Sequence, residues 1–229
     1  MTPVRISYFS DVLCIWAYAG QRRLDRLVEK FADEITVETH YCSVFPDAHK
    51  KIGRGWKERG GFEGFNRHLL EIAEKFPHVE VNETLWLQTR PRTSASAHLF
   101  LKAIEIIERK ADGDSVPYAD RLSTRAAWLI RESFFSSALD ISNWQVFEEI
   151  ANKLDLKYAQ IDEQIRSSQA VAELAADYDL SQKLGIEGSP TFLMNDGRQK
   201  LFGNVGYRLI EANVQELLRR SGKDDASWC

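Results

Sequence analysis

Cys14 follows directly on a short apolar stretch, Val4 to Phe9, and stands just before an amphipathic stretch that begins at about Ala17. A thiol at a helix start faces backbone N–H groups that lack intrahelical partners and the positive end of the helix dipole. Both favour thiolate over thiol, so the position predicts a sulfur more ionised at neutral pH than an ordinary cysteine. The local motif is Cys14-Ile15-Trp16-Ala17, and Ala17 stands where a dithiol motif would carry its second cysteine. A mixed disulfide on Cys14 therefore has no neighbour in the same turn to release it, which leaves one-thiol exchange. The plain alternative is a buried, inert cysteine.

A second informative stretch is Gly188-Ser189-Pro190-Thr191-Phe192. A proline as the first residue of a strand removes one ladder donor and belongs at a strand start or an edge. Around Cys14, Asp11 reads as a proton acceptor or as a cap of the helix start. Trp16 reads either as a ligand contact or as a core aromatic on the first turn. Cys42 falls within a predicted strand, as a core residue or a resolving thiol. Cys229 closes a polar tail, where adventitious oxidation is its expected chemistry. Lys50, Lys51, Arg54, Lys57 and Arg59 form a basic loop, read as a solvated face that could also hold carboxylates. The five histidines show no metal-ligand spacing, so no metal site is expected. No phosphate loop, dinucleotide fingerprint or nucleophile elbow occurs.

The elements that must position Cys14 can be read from periodicity. Val4 to Phe9 alternates as a strand, with Val4, Ile6 and Tyr8 on one face. Leu24, Leu27, Val28 and Phe31 recur at helical spacing. Ile35 to Val44 reads as a second strand. A strand, a helix and a strand imply a parallel pair with a right-handed crossover. His49 to Gly64, rich in Gly, Lys and Arg, reads as a mobile surface loop. Helical stripes follow: Phe65, Leu69, Ile72 and Phe76; then Leu99, Ala103 and Ile106. A helix start is expected at Ser115-Val116-Pro117, with Leu122, Ala126, Leu129 and Ser133 inward. Ser142 to Gln145 has the spacing of a capping box before Val146, Ile150 and Leu154. A stripe of Val171, Leu174, Ala175 and Tyr178 stops at Leu184-Gly185. Thr191–Met194 and Gln199–Phe202 read as a hairpin across residues 195–198. A last helix has Leu209, Ile210, Val214, Leu217 and Leu218 inward, with Gly222 beyond it.

The order is β-α-β, a block of helices, then β-β-α. This predicts one α/β fold whose two ends share a sheet around a large helical insertion. The expected division is 1–47 with 181–222 for the sheet domain, 48–180 for the helical insertion and 223–229 for a flexible tail. Length and composition suit that scale: 229 residues, with 44% hydrophobic and 28% charged. A net charge of −4 gives no reason to expect nucleic acid or an anionic membrane. No apolar run approaches the roughly 20 residues that span a bilayer. The N-terminal residues lack the basic and apolar regions of a secretion signal, and three cysteines are too few for a disulfide framework. A cytoplasmic setting is expected.

Three stretches combine into a resemblance: Ser10-Asp11-Val12-Leu13-Cys14-Ile15-Trp16, the run from Thr93 to Leu99 with Ala97-His98, and Gly185-Ile186-Glu187-Gly188-Ser189-Pro190-Thr191-Phe192. Their order along the chain is similar to that of the thioredoxin superfamily. The long helical middle resembles its DsbA-like branch, with the FrnE-like proteins, 2-hydroxychromene-2-carboxylate isomerases and kappa-class glutathione transferases. The resemblance implies a thioredoxin fold, Cys14 as the attacking thiol, a cis Pro190 against it, and Ser189 pairing with an extended ligand. The positions of Ile15 and Ala17 depart from the usual proline and second cysteine. The function implied is thiol–disulfide oxidoreduction through a single cysteine. Glutathione is then the second thiol and co-substrate, and no tightly bound cofactor is expected. Glutathione-dependent isomerisation or transfer, and peptide binding without catalysis, stand as alternatives. The expected partners are glutathione or other small-molecule or protein thiols, and a homodimer remains open.

Overall fold

The computed structural model describes residues 3–112 and 116–219. Ser115, Gly222, Cys229 and the expected flexible tail lie outside the described residues. β1 (Val4–Ser10), α1 (Ile15–Phe31) and β2 (Ile35–Tyr41) form the opening unit. α2 (Gly61–Ala73), α3 (Leu85–Gln88), α4 (Ala95–Asp112), α5 (Leu122–Phe135), α6 (Trp144–Lys153), α7 (Tyr158–Arg166) and α8 (Gln169–Lys183) follow. β3 (Thr191–Met194), β4 (Gln199–Phe202) and α9 (Tyr207–Arg219) complete the chain's described part.

The four strands make one sheet in the order β2-β1-β3-β4. β1 pairs in parallel with β2, from Val4 opposite Ile35 to Ser10 opposite Tyr41. It pairs antiparallel with β3, with Phe9 opposite Thr191, and β3 pairs antiparallel with β4. The two ends of the sequence thus meet on the central strand, which brings the Thr191 end of β3 beside the end of β1. One face buries Val4, Ile6, Tyr8, Val37, Phe192 and Met194 against Leu24 and Leu27 of α1 and Ile210, Val214 and Leu217 of α9. The other face carries Phe9, Cys42 and Leu193, covered by Leu180, Leu184 and Ile186 from the end of α8. α4 runs through the helical block against α5, α7 and α8. The block's core extends to Val12, Leu13, Ile15 and Tyr18, so the loop bearing Cys14 is packed into it.

Several expectations shift on the structure. β2 ends at Tyr41 instead of Val44, because the N–H groups of Val44 and Phe45 turn to the Asp11 carboxylate (2.9 and 3.0 Å). His49 to Gly64 is not an irregular loop. It contains helical turns at His49–Arg54 and Lys57–Arg59, then the start of α2. Fully buried Ile52 and the contact of Trp56 with Phe65 (5.0 Å between centroids) anchor it, apolar anchors that its basic composition conceals. α5 starts at Leu122 rather than near Pro117, where the Glu108 carboxylate takes the Leu122 N–H and the Ser123 hydroxyl (2.5 and 2.8 Å). α6 is capped by Asn143, whose side chain accepts from the Gln145 N–H (3.0 Å), one residue later than the capping box predicts. In α9, Leu209 faces outward. α3 and α7 have no counterpart in the sequence reading; α7 buries only Ile161 and Gln164, too few positions for a visible stripe.

Candidate thiol site at the start of the first helix

Cys14 occupies the position just before α1 with extended backbone geometry, and its carbonyl accepts from the N–H groups of Ala17 and Tyr18 (both 3.1 Å). Its thiol points to the other sequence motif. Cys14 Sγ donates to the carbonyl oxygen of Ser189 at 3.1 Å, across 175 positions of sequence. The Ser189–Pro190 peptide bond is cis. Pro190 is buried against α1 at Gly20, where an added Cβ would lie 4.0 Å from the Pro190 ring. Cys14, Ser189 and Pro190 are thus gathered at one point.

The acidity of this thiol departs from the expectation. Cys14 is only 7% exposed, and burial pushes its pKa up, more than hydrogen bonding from the Ser189 side chain and from the Ala17 and Trp16 backbone pulls it down. The resting sulfur is a neutral thiol that donates to Ser189. The helix start still supplies the groups that would receive a thiolate once the proton leaves.

Asp11 neither caps α1 nor hydrogen-bonds the sulfur. Its fully buried carboxylate accepts from the N–H groups of Leu13 (2.9 Å), Val44 and Phe45, and from the Ser94 hydroxyl (2.8 Å). Its own N–H donates to Ser189 Oγ at 2.9 Å. Asp11 therefore ties the Cys14 loop to the segment after β2, to the start of α4 and to the Ser189 turn. His98 reinforces that tie. Its Nε2 accepts from the Val12 N–H (3.2 Å), which leaves the ring proton on Nδ1 to donate to Tyr178 Oη (3.0 Å). Burial holds His98 neutral, with its pKa lowered to about 4. Neither network was visible in the sequence, because each links positions tens of residues apart by single hydrogen bonds.

Trp16 is half-buried and meets Phe76 edge-on, at 6.1 Å between centroids. Ile15 and Ala17 are buried, and Ala17 puts no second sulfur beside Cys14. Cys42 lies among Phe9 and Leu193 with its pKa pushed well up by burial, a sheet-core residue in its surroundings. Both described cysteines are free thiols. The basic residues Lys50, Lys51 and Arg54 sit on the helical turn before α2, where Lys51 Nζ lies over the Phe45 ring (5.2 Å). Among the described residues, no three His, Cys, Asp or Glu side chains gather to hold a metal ion, and no described helix is long and apolar enough to cross a membrane.

The sequence pattern of the DSBA-like thioredoxin domain matches this chain over residues 5–215. The chain belongs to that family. No curated protein matches it in sequence. Among solved structures, the cytosolic disulfide reductase DsbM from Pseudomonas aeruginosa, determined with glutathione, superposes with a TM-score of 0.66 at 19% identity, covering 94% of this chain and 99% of that one. A 2-hydroxychromene-2-carboxylate isomerase superposes with a TM-score of 0.60 at 13% identity, over 94% and 97%. The thiol–disulfide exchange protein alpha-DsbA2 from Wolbachia pipientis gives 0.54 at 11%, over 94% and 82%. At these identities the likeness is one of fold. DsbA-like members of the family include oxidoreductases, and the isomerase shares the same architecture.

Proposed function

We propose that this DsbA-like protein carries out thiol–disulfide exchange through Cys14 alone, with glutathione as the second thiol. The observation that carries the reading is the 3.1 Å contact of Cys14 Sγ with the carbonyl of Ser189, beside Pro190. In the first step Cys14 loses its proton to solvent and its sulfur attacks one sulfur of a mixed disulfide. The bond between the two substrate sulfurs breaks, and the leaving thiolate takes up a proton. A second glutathione then attacks the adduct on Cys14, releasing glutathione disulfide and restoring the thiol. The Ser189 hydroxyl and the N–H groups at the start of α1 are the donors that receive the thiolate. Ser189 and Pro190 present the edge to which an extended ligand adds, and Trp16 flanks it. Asp11 is a positioning residue that holds the loop against the Ser189 turn. We take the chain to divide into 1–47 with 181–222 and an insertion at 48–180; Cys14, Ser189 and Pro190 then belong to the first part, and Trp16 meets Phe76 of the insertion. Glutathione bound to a solved protein of the same fold supports the choice of co-substrate, and the cytosolic setting of that protein supports a cytoplasmic one here.

The test is incubation with glutathione disulfide, followed by intact mass and peptide mapping, together with turnover of a glutathione mixed disulfide. A glutathione adduct confined to Cys14, and turnover lost in Cys14→Ser, is the expected result. Absence of both adduct and turnover would overturn it.

One observation favours a second reading, glutathione-dependent isomerisation or transfer on a small electrophile. The neutral Cys14 thiol is already a hydrogen-bond donor, the service a hydroxyl would perform toward a glutathione thiolate. On that reading Cys14→Ser keeps its turnover and no adduct forms.

A further inference from the structure

Arg131 of α5 is buried, 3% exposed, yet its hydrogen bonds go to neutral groups. Nη1 donates to Gln21 Oε1 (3.3 Å) and Nη2 to Ser10 Oγ (3.1 Å). Among the described residues no carboxylate lies within ion-pair distance of it. The Asp25 carboxylate reaches it through Gln21, whose Nε2 donates to Asp25 Oδ1 at 2.8 Å. A buried guanidinium with no direct ion pair costs on the order of several kcal/mol. Its Nε has no hydrogen-bond partner in the protein, and neither has the hydroxyl of Tyr8, a residue 2% exposed on β1. A buried donor of this kind calls for an occupant.

Both side chains line one small polar cavity of ≈ 20 Å³ between the sheet and α5. Tyr118 lines it too; its oxygen accepts from Gln21 Nε2 (3.1 Å), which leaves its proton to donate elsewhere. Burial raises the pKa of both tyrosines, that of Tyr118 to about 12, so their hydroxyls stay protonated. The one carboxylate in the lining, Glu105, is engaged by Lys102 Nζ at 2.7 Å. The site therefore offers the Arg131 Nε–H and two phenolic hydroxyls, with a positive charge behind them. The cavity has room for at least one guest of solvent size. A water fits the same space, accepting from two of these donors and donating to acceptors in the lining such as the Glu105 carboxylate, and is the competing occupant. A monatomic anion accepts from all three and offsets the guanidinium.

We propose that this cavity is a binding site for one small monovalent anion of the halide class. The site joins α5 to β1 at Ser10, immediately before the Asp11 loop that carries Cys14.

The experiment is bromide substitution in crystals of the full chain, combined with thermal unfolding in sodium chloride or bromide against sodium gluconate at equal ionic strength. One anomalous peak within hydrogen-bond distance of Arg131 Nε and Tyr8 Oη is expected, with a saturable rise of the unfolding midpoint in halide. Because Arg131→Met could fail to fold, Tyr8→Phe serves as the variant; it keeps the ring and removes one donor. It should weaken halide affinity about tenfold, as loss of a hydrogen bond to a charged group does. A water in the cavity with bromide peaks only at the surface, or equal midpoints in halide and gluconate, or an unchanged halide response in Tyr8→Phe, would each overturn the proposal.

Discussion

At Cys14 two consequences of one location oppose each other. The helix start favours a thiolate, while the packing that holds the loop in place removes the water that would solvate it. Burial prevails, so alkylation of Cys14 by a small electrophile should rise with pH and reach half its limit above the ordinary cysteine range. A rate profile from mass-resolved labelling checks this, and a midpoint below that range would refute it. Asp11 carries the loop. Asp11→Asn places an amide among four donors, three of them backbone N–H groups, and should lower stability by about 3 kcal/mol, the order of losing charge-assisted hydrogen bonds in the interior. Denaturant unfolding measures it, and labelling of Cys14 should accelerate as the loop loosens. Cys14, Ser189 and Pro190 were legible in the sequence because motif and chain order mark them. The partners of Asp11 were not, since Val44, Phe45 and Ser94 come from segments that only the folded chain brings together.

Among the elements, those with a full apolar stripe could be read from periodicity, as with α2 and α4, and the parallel pairing of β1 with β2 followed from the unit they form with α1. In α8 the stripe misplaces the inward face, since Val171 and Ala175 are exposed and Ala170, Leu174, Asp177 and Ser181 are buried. Ends were harder, because a distant side chain can take over the role of a local cap. Glu108 does so at the start of α5. At α6 the cap is local but one residue late, and the difference can be measured. Asn143→Ala should cost about 1 kcal/mol, the typical value of a lost helix cap. Ser142 accepts instead from the Arg92 N–H at 2.9 Å, so Ser142→Ala removes a loop contact and leaves α6 capped. Protection of the first-turn amides of α6 against hydrogen exchange separates the two. Loss of that protection in Ser142→Ala but not in Asn143→Ala would restore the capping box.

For the molecule as a whole, the edge of the sheet is tied to the helical block by a buried charged group. His40 Nδ1 of β2 and Lys102 Nζ of α4 each meet the Asp177 carboxylate of α8 at 2.8 Å, and Asp177 Oδ2 also accepts from the Tyr41 N–H at 2.9 Å. Burial opposes charge on His40, but hydrogen bonds to Asp177 and Glu38 outweigh it and lift the imidazole to about 9. A folded pKa above the unfolded value of 6.5 gives stability that is full below pH 6.5 and is lost as pH rises through 9. Asp177 is shifted the other way. Burial disfavours its charge, yet bonds from His40 and Lys102 hold the carboxyl below its ordinary value, so its contribution is present above about pH 4 and fails only in stronger acid. His98 is a base held neutral, with a folded value of about 4, and its contribution is lost as pH falls from 6.5 towards 4. The two histidines therefore bound stability from opposite sides, with a maximum near pH 6.5. Between pH 6.5 and 9 the loss should be on the order of 2–3 kcal/mol. His40→Gln should flatten that alkaline limb and leave the acid limb, which belongs to His98, in place. Thermal unfolding across pH 4 to 9 for both proteins decides it; stability that climbs between pH 6.5 and 9 would show that the sheet edge is not held through a charged His40.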